Sequence, residues 1–104
     1  MKRVAFKMKL KPGCAEEYRK RHDTIWPELK ALIRDSGIQQ YSIFLDDETD
    51  TLFAVQWVTG DHGSQTLGGS EVVKRWWAYM ADLMITQPDN SPASIELPEV
   101  FYLE

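Results

Sequence analysis

Cysteine is almost missing from this chain: Cys14 is the only one in 104 residues. No internal disulfide can form, and a thiolate cage for a metal has too few ligands to assemble. Histidine is nearly as scarce, with only His22 and His62, and these two are not spaced as a metal-binding pair on one helix face. No apolar run approaches the ~20 residues that cross a bilayer, and the N-terminus lacks the contiguous apolar core of a secretory signal, so a cytoplasmic location is expected. A glycine-rich phosphate loop entering a helix and a nucleophile elbow are both absent. The formal net charge is -4, and Lys2, Arg3, Lys7, Lys9 and Lys11 are distributed along the first strand without forming a basic stripe, which argues against nucleic acid as a partner.

What is present is an ordinary globular composition, 43% apolar and 27% charged. A chain of this length supports one hydrophobic core, so residues 1–104 are expected to form a single domain.

The periodicities divide the chain cleanly. Val4, Phe6, Met8 and Leu10 alternate with polar residues, predicting a half-buried strand over residues 3–10. Pro12 and Gly13 then turn the chain into a short helix over 14–22, whose first turn carries Glu16 and Glu17 near the positive end of the helix dipole. Pro27 is tolerated in a first helical turn, so a break near residues 23–26 and a second helix over 27–35 are expected, with Gly37 as its stop signal. Residues 38–45 and 51–58 flank the acidic loop 46–50 and read as an antiparallel hairpin. The glycines between residues 60 and 69 predict loop with at most one distorted helical turn. After Ser70, the residues Val72, Val73, Trp76, Trp77, Met80, Leu83 and Met84 recur at helical spacing and predict a helix over 71–84. Residues 87–98 contain three prolines and predict an irregular connection, followed by a last strand over 100–103.

The resulting order is strand, helices, strand, strand, helix, strand. It is the split β-α-β arrangement, an α+β domain of the ferredoxin-like kind with its helices on one sheet face. The other face keeps enough apolar side chains to need a cover, and a homodimer formed sheet to sheet would supply it.

Few residues are equipped for chemistry. Tyr18 and His22 lie four apart in a helical segment and therefore share a face. A lone histidine among Lys20, Arg21 and Asp23 is by default a solvated helix residue. Trp76 and Trp77 are about 100° apart on their helix, so one is expected to fill the core while the other edges a pocket. Packing alone would account for them and for Tyr41. Against that stands a chemical match: aromatic planes suit the apolar C–H face of a sugar, while phenol and indole groups bond its hydroxyls. Tyr18, Tyr41, Trp76 and Trp77 fit that task.

Three stretches carry a family resemblance. Residues 18–29 (YRKRHDTIWPEL), 75–77 (RWW) and 87–92 (QPDNSP) resemble the signature segments of the L-rhamnose mutarotase family, and the likeness runs from Ala5 and Phe6 to the closing EVFYL at 99–103. The resemblance implies a homodimeric α+β barrel of ferredoxin-like chains that interconverts the α and β anomers of L-rhamnose. By the same motifs His22 is implied as the catalytic proton donor and Tyr18, Tyr41, Trp76 and Trp77 as sugar contacts. The segment 61–69 departs from the family pattern in being richer in glycine, which leaves the pocket rim and the breadth of sugars open.

Mutarotation asks only for proton movement. A proton leaves the anomeric hydroxyl, one reaches the ring oxygen, and the open aldehyde recloses on its other face. An imidazole titrating near neutrality can protonate the ring oxygen and recover the proton on reclosure, so no metal and no organic cofactor is required. A second carrier is not identified by the sequence: Tyr18, Asp89 and water remain alternatives. Two competing functions are a cofactor-free monooxygenase or haem-handling protein, and a non-catalytic interaction module, since small α+β folds host both.

Overall fold

The computed structural model describes residues 2–60 and 67–104. Its elements are β1 (Lys2–Lys9), α1 (Ala15–Asp23), α2 (Pro27–Asp35), β2 (Ile38–Asp46), β3 (Thr51–Val58), α3 (Glu71–Met80) and β4 (Ser94–Leu97), with a 3-10 turn at Ala81–Leu83 directly after α3. The four strands form one sheet in the order β2-β3-β1-β4, and every neighbouring pair is antiparallel. The domain is thus a small α+β unit.

Strand alternation decides which face is dry. Phe6 and Met8 of β1, with Leu52, Ala54, Gln56 and Val58 of β3, are buried, whereas Phe53 on the opposite face is exposed. The buried face packs against Tyr18 of α1, Leu29 of α2 and Val73, Trp76, Trp77 and Met80 of α3 in one core. All three helices therefore cover the same side of the sheet.

Strand β2 does not keep a single parity. Ile38 is buried opposite Val58, but between Gln39 and Ser42 the register shifts, so that Gln40 and Tyr41 together oppose Gln56. Such a bulge moves every following side chain to the other face. Gln40 adopts φ 52° to make it, and Tyr41 and Ile43 consequently pack against the core.

The α2 terminus behaves as expected. Gly37 sits at φ 85°, and a Cβ there would lie 2.2 Å from Thr59 Oγ1, so both the backbone angle and the space demand glycine.

Two expectations are corrected. The helix predicted over 71–84 leaves α-geometry after Met80, because the following residues are drawn onto the sheet: Lys11 N–H donates to the Leu83 carbonyl at 2.8 Å, Leu10 bridges Met84, and Ile85 N–H donates to the Lys9 carbonyl at 3.0 Å. The last strand is not at 100–103. Residues 94–97 take that place along β1, pairing Met8 with Ser94 and Ala5 with Leu97. Pro98, which has no amide hydrogen, follows the strand, and Val100, Phe101 and Leu103 are left 92%, 76% and 79% exposed. The loop expected over 61–66, His62 included, lies outside the described residues.

Candidate functional site

Between the three helices and the core face of the sheet lies a cleft of about 1030 Å³, at the large end of the range for small-molecule sites. Its floor comes from Met8, Leu10, Ile43 and Leu52 on the sheet. Its walls bring together all five residues singled out in the sequence: Tyr18 and His22 from α1, Tyr41 from the bulge of β2, and Trp76 and Trp77 from α3. The bulge is what admits Tyr41, since without the parity change its ring would face the other side of the sheet.

His22 is partly buried in this wall. Its Nδ1 lies 3.0 Å from the Tyr18 carbonyl oxygen one turn earlier. A carbonyl only accepts, so Nδ1 carries the hydrogen and, in the neutral ring, Nε2 is the basic nitrogen. Burial lowers the imidazole pKa below its ordinary value, outweighing the Tyr18 carbonyl and the Asp23 charge, which both favour the cation. Around neutrality His22 is therefore a base with its tautomer already set. The Tyr18 ring stands 4.3 Å from the imidazole on one side, and Trp76 meets it edge-on at 5.4 Å.

Tyr18 is 7% exposed. Burial first, and the neighbouring Tyr41 second, push its phenol pKa up, so the hydroxyl stays protonated and serves as a hydrogen-bonding group at any accessible pH.

The tryptophans depart from expectation. Instead of one core and one pocket residue, both are only 8% exposed and both line the cleft. Trp77 separates it from a smaller cavity of about 420 Å³ lined by Gly68, Gln87, Asp89 and Ser91. Asp89 belongs to that second cavity and does not line the main cleft. Its carboxylate accepts from the Ser91 hydroxyl and from the Ser91 N–H at 3.0 Å, bonds that hold its pKa below the usual carboxylate value. It closes a turn, and the structure does not bring it to His22.

Comparison with known proteins gives a direct answer. The family model described as L-rhamnose mutarotase matches residues 3–103. The chain belongs to the L-rhamnose mutarotase family. Within the family it is similar to an L-rhamnose mutarotase of Bacteroides thetaiotaomicron, 60% identical over 104 residues and 100% of both chains, and to one of Formosa agariphila, 59% identical over the same span. The crystal structure of an L-rhamnose mutarotase from Formosa agariphila superimposes with a TM-score of 0.93 over 100% of both chains, at 56% identity. A protein from Mycobacterium tuberculosis, 16% identical with a TM-score of 0.55, shares the fold alone.

Several residues that pack behind Trp76, outside the lining of this cleft, escaped the sequence reading. Trp26, at the N-cap of α2, meets Trp76 edge-on at 5.1 Å and stacks on Tyr79 at 5.5 Å. Arg21 lies over Tyr79 at 4.5 Å and pairs with Asp82. The available signals were the (i, i+3) spacing of Trp76 and Tyr79 and the placement of Trp26 just before a helix-starting proline. Nothing local in the sequence pairs Arg21 with a residue 61 positions away.

Proposed function

We propose that this chain interconverts the α and β anomers of L-rhamnose with His22 as the proton carrier. The supporting observation is the fixed tautomer of a neutral imidazole, with Nδ1–H spent on the Tyr18 carbonyl, in the wall of an aromatic cleft of sugar-accommodating size. Full-length agreement with mutarotases favours this reading over a monooxygenase, a haem-handling protein or an inert interaction module.

The chemistry balances with one carrier. Nε2 takes the proton from the anomeric hydroxyl as the bond from C1 to the ring oxygen breaks, leaving an aldehyde, and the imidazolium gives that proton to the ring oxygen, which is bonded to the same carbon at the start. Rotation about the bond between C1 and C2 presents the other carbonyl face. The hydroxyl re-adds there, and His22 carries its proton back to the new anomeric oxygen. The lowered pKa suits this order, because base comes first and acid second. Tyr18 and Tyr41 bond sugar hydroxyls, while Trp76 and Trp77 cover its C–H face. The site needs no metal or organic cofactor for these steps.

We read residues 1–104 as a single ferredoxin-like domain and as half of a dimeric α+β barrel, a reading that the strand order β2-β3-β1-β4 supports. On the sheet face away from the helices, one register row crosses all four strands as Phe44, Phe53, Lys7 and Ile95, with Phe44 62% and Ile95 61% exposed. The apolar tail runs off the same edge, its Glu99 and Tyr102 held by Arg3. A second copy facing this surface would bury both. Among the described residues no helix is long and apolar enough to cross a membrane, and a cytoplasmic enzyme acting on a free sugar fits the reading.

The test is saturation-difference NMR on L-rhamnose with catalytic amounts of protein. Exchange between the anomeric signals above the buffer rate is expected, and an unaccelerated rate across L-rhamnose, L-fucose, D-ribose and L-lyxose would end the proposal.

A further inference from the structure

We propose that Arg21 is the positioning residue for His22: by clamping α1 to the C-terminal end of α3 it fixes the rotation of α1 that sets the imidazole against Trp76. The inference rests on the mutarotase reading above for its kinetic consequences, but its geometric claim is independent of that reading.

Among the described residues, α1 buries one of its nine, Tyr18, with Ala15 part-buried against the same core, and a helix this short is not stable by itself. Rotation about its own axis, with Tyr18 as pivot, is the coordinate that a single buried side chain constrains least. Arg21 closes it. Its Nη1 donates to the Tyr79 carbonyl at 2.7 Å and to Asp82 Oδ1 at 2.9 Å, its Nη2 to Asp82 Oδ2 at 3.3 Å, and its Nε to Glu17 at 2.9 Å, one turn back on α1. The guanidinium also lies over the Tyr79 ring at 4.5 Å. The arginine side chain is 13% exposed although its partner Asp82 is 65% exposed, so the cation is seated against the protein.

The two contacts form a vise. Adjacent residues of α1, about 100° apart, touch residues three apart on α3: His22 meets Trp76 and Arg21 meets Tyr79. Trp76 and Tyr79 are themselves 5.7 Å apart, and Trp26 packs on both. Side-chain tips lie about 5–6 Å from a helix axis, so a turn of ~10° moves the imidazole by about 1 Å. A displacement of that size at a reacting group can cost about 10²-fold in rate. The planar fork is what makes the clamp directional, since it engages a carboxylate and a carbonyl together, a geometry a lysine ammonium does not reproduce.

The experiment compares Arg21→Met, Arg21→Lys and Asp82→Asn with the parent protein by anomer-exchange kinetics and by NOE contact and ring-current shifts between the His22 and Trp76 ring protons in sugar-free protein. Arg21→Met is expected to lower kcat by about 10- to 100-fold with KM within about threefold, because positioning and not binding is lost, and to weaken the ring contact. Asp82→Asn is expected to move both readouts the same way by less, and Arg21→Lys to restore part of each. Folded variants with an unchanged ring contact overturn the inference, whatever their rate, as does a loss confined to KM. Should Arg21→Met fail to fold, Asp82→Asn, altering an exposed side chain, decides alone. A parent protein without exchange activity would sink the mutarotase reading, while the ring contacts would still decide the clamp.

Discussion

Acidifying the solution should switch this site off at a pH below that of a free histidine. In the cleft, desolvation opposes the imidazolium more than the Tyr18 carbonyl and Asp23 favour it, so the pKa lies below the ordinary value, itself about 6.5. The proposed step needs Nε2 unprotonated, so kcat/KM should be flat above neutrality and fall as pH drops through the lowered pKa. Each pH unit of depression corresponds to about 1.4 kcal/mol of preference for the neutral ring. At about pH 6.5, where a free imidazole is half protonated, more than half of the plateau activity should therefore remain. Asp23→Asn removes one of the two influences that raise the pKa and should move the inflection further towards acid. Stability follows the same sign. Between the lowered folded pKa and the ordinary unfolded one, the unfolded chain binds more protons, so stability rises with pH through that window and the His22 contribution is lost as pH falls through it. The assay is anomer exchange measured from about pH 4.5 to 8, with a parallel thermal-unfolding series. Activity that increases on acidification, or an inflection at or above that of free histidine, would refute the reasoning.

Further perturbations separate the structural claims from the chemical ones. Tyr18→Phe keeps the ring beside His22 and removes a buried hydroxyl, so KM should rise about 5- to 10-fold with the fold intact, the effect of one lost hydrogen bond; an unchanged KM would remove that hydroxyl from sugar binding. Gly37→Ala places a methyl group on Thr59 Oγ1 at a positive φ and should cost about 1–3 kcal/mol, lowering Tm by roughly 4 °C per kcal/mol at this size while kcat of the folded enzyme stays put. The parent is expected to sediment as a dimer, and Phe53→Lys, which inserts a second cation opposite Lys7 on the outer sheet face, should yield monomers in sedimentation velocity; a variant that still dimerises would place the interface elsewhere.

Where the sequence was legible, period and punctuation agreed. Pro27 and Gly37 bounded α2 at the positions where Pro27–Asp35 forms, and the hairpin of β2 and β3 followed from two apolar runs around an acidic turn. Long-range pairing was not legible. The end of α3 is decided by Lys9, Leu10 and Lys11, some 70 positions earlier, which take up Leu83, Met84 and Ile85 as sheet partners. The tail EVFYL is rich in apolar, strand-forming residues, yet residues 94–97 occupy the edge of β1. In the site, helical spacing put Tyr18 and His22 on one face, and it was the family resemblance that joined Trp76, Trp77 and Tyr41 to them. Tyr41 reached them through a bulge that alternation alone does not forecast, and Asp89, chemically eligible, was drawn off by its own turn with Ser91.

The most direct test substitutes the imidazole while preserving its anchor. In His22→Asn the amide can still donate to the Tyr18 carbonyl, but the basic nitrogen is gone. Anomer exchange of L-rhamnose, read by saturation-difference NMR at neutral pH, should fall by about 10²-fold or more with sugar affinity largely kept. Exchange at the parent rate in a folded His22→Asn protein would contradict the assignment of the proton to His22.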